Sequence, residues 1–295
     1  MISLHRITVF LRERFPVGPS IVGAALLATA ADRLGSGLIG RTLGGLDGIS
    51  LAAVTLVAAL FLVLRVADEL SDLDEDRLAW PDRPLARGAT LPRDVIALAV
   101  VVSAVAVALC GAAAGGAGIA GAVVALGVTL VLQQDLGLEA VRRRPLLSLA
   151  VHQLMVPAWA LAVLALRDVA IVVEPARWPW PALGLALTLS LLFELGRKTR
   201  HPADEVAHDD SYSQRLGLRG SVATVTLTAL VCAAAAVWVV HTLHLAVWAA
   251  AVPCAALVWV IGVAFTVPRR RGRLLEMSTA LASLWVYLPL LLATA

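Results

Sequence analysis

The sequence predicts an all-α, polytopic membrane protein with nine transmembrane helices, its N-terminus in the cytoplasm and its C-terminus outside. Three observations carry that prediction. Of the 295 residues, 60% are hydrophobic and the mean hydropathy is +0.86, whereas a soluble domain is roughly half apolar. The apolar residues gather in runs of about 20, the length that crosses a hydrocarbon core of about 30 Å. When nine such runs are threaded back and forth, 20 of the 24 Lys and Arg fall on one side. Only Arg33, Arg41, Arg167 and Arg177 fall on the other. That asymmetry is the positive-inside pattern.

Residues 1–15, MISLHRITVFLRERF, interleave Ile2, Leu4, Ile7, Phe10 and Leu11 with His5, Arg6, Arg12 and Arg14. The uninterrupted apolar stretch of a signal peptide is missing, and an amphipathic helix at the membrane interface fits better. Pro16 and Gly18 then lead into the first span. The nine spans are expected at 17–32, 49–66, 93–112, 117–134, 146–166, 179–196, 221–240, 245–267 and 275–293, forming one transmembrane domain over 1–295. Spans three and four are joined by GAAAGGAG, which suits a tight hairpin. Spans seven and eight are separated only by a weak break at 241–245, with Pro253 as a possible kink. Merging them would invert every later segment and spoil the charge asymmetry. Trp178 and Trp180 fit an interfacial belt on the outer side.

The acids are asymmetric as well. Apart from Asp32, Asp47, Asp168 and Glu174, the carboxylates, 17 of 21, lie on the cytoplasmic side of this threading. Topology does not require that, so the chemistry is expected there, in the segments 66–92 and 194–220. The first segment follows span two and opens with Asp68, Glu69, Asp72, Asp74, Glu75 and Asp76. On a helix, Asp68, Asp72 and Asp76 recur every fourth residue, with Glu69 beside them. Like charges stacked on one face repel, and the helix tolerates them when water screens them fully or when a hard cation such as magnesium, suited to an oxygen-only ligand set, sits between them. Asp74 and Glu75 point off that face and are expected to be solvated. A basic turn follows, Pro81-Asp82-Arg83-Pro84, then Arg87-Gly88.

The second segment, ELGRKTRHPADEVAHDD from Glu194 to Asp210, follows span six. Its place four spans after the first hints at two similar four-helix halves, although no sequence repeat supports them. Glu194 and Lys198 are four apart, Arg197 adds a second cation, and Asp204, Glu205, Asp209 and Asp210 come after Pro202. Two carboxylate clusters interwoven with Arg and Lys suit a diphosphate held through metal ions and directly by cations. Ionisation of an allylic diphosphate is helped by metal on the leaving group, and a water-poor helical cavity shields the carbocation.

The first stretch resembles the signature of the UbiA family of intramembrane prenyltransferases. That family has nine helices and two cytoplasmic aspartate-rich motifs, after helices two and six, the first reading NDxxDxxxD with an Arg-Pro turn and a nearby Gly. Here the residues are Asp68, Glu69, Asp72 and Asp76, then Arg83-Pro84 and Gly88, with Asp in place of the family's Asn at 68. The second motif is degenerate: Glu194 stands for its first acid, and Asp204 or Glu205 for its second. The resemblance implies a UbiA-like bundle and a magnesium-dependent enzyme. Asp68, Glu69, Asp72, Asp76, Glu194, Asp204 and Glu205 would bind metal, with Asp68, Asp72 and Glu194 central to catalysis. Arg83, Arg144, Arg197 and Lys198 would bind the diphosphate. Arg144 comes from the Arg142–Arg144 run, which also serves as a topology anchor. The expected substrate is a polyprenyl diphosphate, whose prenyl group passes to an aromatic or other lipophilic acceptor. A terpene cyclase of the same type needs no acceptor, and the motifs do not separate the two. The expected site is a bacterial inner membrane, among its lipids, with the active site facing the cytoplasm.

Other classes fit less well. There is no basic domain for nucleic acid, and no Walker loop, GxGxxG, HExxH or Ser-His-Asp pattern. Cys110, Cys232 and Cys254 lie in apolar runs without metal or disulfide spacing. A transporter of cations or organic anions would carry its polar residues near the bilayer midplane. Here the acids sit at the cytoplasmic boundary instead. His152, Gln153, Gln133, Gln134 and Asp135 near span ends equally suit an acceptor pocket or helix-to-helix hydrogen bonds.

Overall fold

A computed structural model describes residues 2–40, 47–205, 211–269 and 273–294, and among them it contains helices, turns and no strand. The helices, in chain order, are α1 (Leu4–Arg14), α2 (Val17–Leu38), α3 (Gly48–Ser71), α4 (Leu73–Ala79), α5 (Pro92–Gln133), α6 (Glu139–Arg142), α7 (Pro145–Gln153), α8 (Met155–Ala165), α9 (Ala170–Val173), α10 (Trp180–Lys198), α11 (Tyr212–Thr242), α12 (Trp248–Ala264) and α13 (Leu274–Ala293). Six stretches are long and apolar enough to cross a membrane: α2, α3, α5, residues 146–165 through α7 and α8, α11 and α13. The chain is an integral membrane protein, and its surface agrees. Val100, Val101 and Val105 on one arm of α5, Val123, Val124 and Val131 on the other, and Leu227 and Leu230 on α11 are all exposed, an apolar surface suited to lipid rather than water.

A straight helix of 42 residues would run about 63 Å, twice the hydrocarbon core. Helix α5 escapes this by breaking at Ala114 and Gly115, where Gly115 takes φ +62, ψ −147. Only glycine adopts that backbone without strain. The two arms then fold back on each other. A methyl group placed on Gly118 would sit 2.1 Å from the Cys110 carbonyl oxygen, two residues that a continuous helix would hold about 12 Å apart. The hairpin expected between residues 112 and 117 is therefore present. In α11 a similar break at Gly217, φ +70 and ψ 156, detaches the first turn from the long apolar run.

The chain divides into two compact units. The first comprises described residues within 1–29, 44–144 and 158–176, and carries the acids of 68–76. Its centre is α3 packed along α5. Asp47 caps α3, its carboxylate accepting from the Ser50 amide at 2.9 Å, and Arg167 pairs with it at 2.5 Å. That guanidinium, with the capping hydrogen bonds, holds the Asp47 carboxyl well below the usual carboxylate range. Trp159 is buried, donates from Nε1 to Thr129 Oγ1 at 2.7 Å, and meets the Phe61 ring edge-on at 5.3 Å.

Helix α1 belongs to this unit as well. Phe10, fully buried, enters a cluster with Leu62, Val66, Leu85 and Val95. The Ser3 amide donates to Asp94 at 3.2 Å, Thr90 Oγ1 donates to the Arg6 carbonyl at 3.0 Å, and Arg6 lies 3.6 Å from Asp94. The amphipathic pattern of residues 1–15 thus buries part of its apolar face against protein.

The second unit comprises described residues within 30–43, 145–157 and 177–295, and carries Glu194, Asp204 and Glu205. Helices α10, α11, α12 and α13 pack as a bundle. Tyr287, Cys232, Leu257 and Leu189 are among its buried side chains.

Gly118→Ala should open the α5 hairpin, because the obstacle is a backbone carbonyl that cannot turn away. An overpacking cost of about 1–3 kcal/mol is expected, read as a lowered Tm in detergent. Gly184→Ala is the control, since a methyl group there meets nothing within 4 Å and should leave Tm unchanged or raise it.

Candidate active site

The first acidic stretch begins where α3 stops being apolar. The helix bends at Asp72, φ −92 and ψ 3, and α4 starts one residue later. Two backbone hydrogen bonds nevertheless bridge the bend. The Asp72 amide donates to the Asp68 carbonyl at 2.9 Å, and the Asp76 amide donates to the Asp72 carbonyl at 2.7 Å. The expected recurrence of Asp68, Asp72 and Asp76 therefore survives on two helical segments rather than one.

Each acid meets a different environment. Asp68, half-buried, accepts a hydrogen bond from the Gln133 side-chain amide at the end of α5. Glu69 is only 2% exposed. Its Oε1 accepts from Arg14 Nε at 2.6 Å and from Arg65 Nη2 at 2.5 Å, while Oε2 is buried without a hydrogen-bond partner among the described residues. Asp72 is exposed. Asp76 is buried and paired with Arg83. Asp74 and Glu75 are exposed, as their off-face positions predict, and Asp74 pairs with Arg77 at 2.7 Å.

The basic turn sets Arg83 in place. The Arg83 amide donates to the Trp80 carbonyl at 3.0 Å, and its guanidinium lies 5.2 Å from the centre of the Trp80 ring, a cation–π contact. The Arg87 amide closes the next turn on the Arg83 carbonyl at 2.9 Å, and Gly88 ends it at φ +75. The Arg87 guanidinium forms a bidentate pair with Glu13 of α1, at 2.8 and 3.0 Å. Arg87 holds that exposed carboxyl below its usual range.

The loop after α5 carries the next cations. Asp135, Leu136 and Gly137 all take positive φ, at 52, 59 and 69, strained for the first two. Arg142 approaches Asp135 at 3.9 Å, Arg143 pairs with Glu139 at 2.9 Å, and Arg144 is exposed.

In the second stretch, Glu194 lies one turn before the end of α10. Arg197 grips it from Nη2 at 2.8 Å and from Nε at 3.0 Å, and Lys198 lies 3.3 Å away. Lys198 also lies 5.8 Å from the centre of the Tyr212 ring. After α10, Pro202–Asp204 form a single 3₁₀ turn in which His201 Nδ1 accepts from the Ala203 amide at 3.1 Å. Asp204 and Glu205 are half-buried there. Asp209 and Asp210 lie outside the described residues. The turn of α10 that carries Glu194 is held close to α13: a methyl group on Gly196 would lie 2.4 Å from Thr279 Oγ1 and Cγ2.

Among the described residues, no three His, Cys, Asp or Glu side chains gather into a ready-made metal cage. Magnesium rarely uses one. It keeps several waters and takes one or two carboxylates plus substrate phosphate oxygens. Carboxylates alone at helical spacing, with Asp72 exposed among them, fit such an ion by donor chemistry. Sequence reasoning did not identify Arg14, 55 residues from its partner, because no spacing rule connects them. The Arg65–Glu69 pair was legible as an i, i+4 contact. Gln133 was noted, though not as the partner of Asp68.

Gly196→Ala is expected to push α10 away from α13 and to shift Glu194, Arg197 and Lys198. Stability should fall by about 1–3 kcal/mol. Pairing it with Thr279→Gly, which removes the obstructing side chain, should recover part of the lost Tm if the contact is the cause.

No family model matches the sequence, and no curated protein matches it. Two solved structures do. One is a UbiA homolog from Aeropyrum pernix K1, 16% identical, covering 92% of this chain and 98% of that one with a TM-score of 0.72. The other is a digeranylgeranylglyceryl phosphate synthase, 13% identical, covering 99% of each chain with a TM-score of 0.60. The resemblance seen in residues 68–88 thus extends through the backbone, and the chain has the fold of the UbiA-type intramembrane prenyltransferases.

Proposed function

We propose that the protein is a magnesium-dependent intramembrane prenyltransferase that ionises a polyprenyl diphosphate and transfers its prenyl group to a lipophilic acceptor. The observation that carries this reading is the DExxDxxxD stretch at the end of a membrane helix, in a chain with this fold. The proposal includes nine spans, on counting α5 as two and adding α10 and α12, with the N-terminus and both acidic stretches on the cytoplasmic side.

In the first unit Asp68 and Asp72 would lead in holding metal, with Asp76; in the second, Glu194 would, with Asp204 and Glu205. Glu69, gripped by two guanidiniums, supplies counter-charge. When bound, the ions would neutralise charge on the departing diphosphate. Several of the acids are paired with the cations assigned to the diphosphate: Asp76 with Arg83, and Glu194 with Arg197 and Lys198. A diphosphate competes for exactly such cations through charge-assisted hydrogen bonds. Each exchange of partner would release a carboxylate toward the metal. Arg144, exposed in the loop after α5, would add a further contact. The C1–O bond then breaks with its electron pair leaving on the diphosphate. The acceptor bonds to C1 and loses a proton. The apolar helices keep water from the carbocation.

The test is diphosphate release by the purified protein in detergent with geranyl, farnesyl and longer polyprenyl diphosphates. Release is expected with magnesium, and none with EDTA. Asp72→Ala should lower the rate by about 10²–10³, the scale for losing one charge-stabilising group. Release that needs an added aromatic or lipid acceptor fits a transferase. A cyclic hydrocarbon formed without acceptor would replace it with a cyclase. No metal-dependent release from any donor would overturn both.

A further inference from the structure

Glu13 and Arg14, adjacent at the end of α1, reach two parts of the first acidic segment with opposite charges. Glu13 holds Arg87 in the turn after α4, and Arg14 holds Glu69 in the last turn of α3. Residues 13 and 14 thus grip both ends of the stretch that carries Asp68, Asp72, Asp76 and Arg83.

We propose that Arg14 is a positioning residue for the first acidic stretch, holding Glu69 as a neutralised anchor so that Asp68 and Asp72 keep their places. The need for it is electrostatic. Acids at the C-terminal end of a helix face the negative pole of its dipole, and Asp68, Glu69 and Asp72 add like charges to that end. Arg65 and Arg14 supply the compensation. Arg65 comes from the same helix and moves with it. Arg14 comes from a separate helix that is itself fastened by Phe10, Asp94 and Thr90, so it ties the turn to something fixed. Glu69 cannot serve equally as a ligand. Two guanidiniums already lie on its Oε1 at 2.6 and 2.5 Å, and the side chain is 2% exposed. A further cation on it would meet two positive charges at close range.

The inference rests on the function proposed above for its kinetic consequences, and on the structure alone for its dynamic ones. In the first readout, hydrogen–deuterium exchange compares the full chain in detergent, without metal or substrate, as wild type and Arg14→Met. Exchange at the end of α3 and through α4, residues 65–76, should quicken several-fold in the variant, and Arg14→Lys should restore most of the protection. Unchanged exchange over 65–76 would overturn the proposal whatever the enzyme does.

The second readout is the magnesium dependence of diphosphate release. Arg14→Met should raise the half-saturating magnesium concentration about tenfold, the scale of one charge-assisted hydrogen bond, while the rate at saturating magnesium falls much less. Glu69→Gln should do the same. The double variant should be no worse than either single one, because both remove the same pair. A double variant whose losses multiply would make Glu69 a ligand and overturn the anchor role. If wild type released no diphosphate, the proposed function would fail on its own, and the exchange readout would still decide the role of Arg14.

Discussion

Six carboxylates between Asp68 and Asp76, at the end of an apolar helix, cannot sit together unless their charge is compensated. Much of the first unit can be understood as the answer to that constraint. Arg14 and Arg65 converge on Glu69, Arg83 pairs with Asp76, Arg77 with Asp74, and the Gln133 amide donates to Asp68. These partners come from α1, from α3 itself, from the turn after α4, from α4 and from the far end of α5. Fixing the acid cluster therefore fixes how five separated pieces of sequence lie on one another.

The pairs differ in what they contribute. Asp74 and Arg77 are largely solvated, with side chains 92% and 56% exposed, and such a pair contributes little, about 0–1 kcal/mol. Glu69 and Asp76 are buried. Removing Arg83 would strand the charge of Asp76, at a cost of about 3–5 kcal/mol, whereas Glu69 has two guanidiniums and keeps one if the other is lost. The buried pairs therefore yield only to a partner that replaces the lost charge, whereas Asp72, exposed at the bend, can be approached directly by a cation. The bend itself matters. It separates α3 from α4, while the bonds from the Asp72 amide to the Asp68 carbonyl and from the Asp76 amide to the Asp72 carbonyl still link the three aspartates across it.

Much of the fold was legible because membrane helices announce themselves. Apolar runs and the Gly-rich interruption at 111–118 located the α5 hairpin to within a few residues, since only glycine supplies the backbone at 115 and the clearance at 118. The recurrence of acids at 68, 72 and 76 was equally legible, being a matter of local spacing. What was hidden was long-range. The sequence of α1 showed amphipathicity, which is consistent with a helix lying on lipid, yet Phe10 packs against Leu62, Val66, Leu85 and Val95. Amphipathicity states that one face wants an apolar partner and not which partner it gets. The same limit concealed Arg14: charge complementarity between residues 55 apart leaves no periodicity to read.

The two acidic stretches also differ in charge, and that difference bears on their chemistry. From Arg65 to Gly88 there are seven carboxylates and four arginines, whereas from Glu194 to Glu205 there are three carboxylates and three cations. The first stretch is a net acid even after Arg14 is added, and suits cations. The second is balanced, with Arg197 and Lys198 both on Glu194, and a polyanion that draws those cations away leaves a carboxylate behind. On this view the degenerate second motif need not match the first acid for acid. Its Arg and Lys give it an affinity for anions that a second complete set of aspartates would lack.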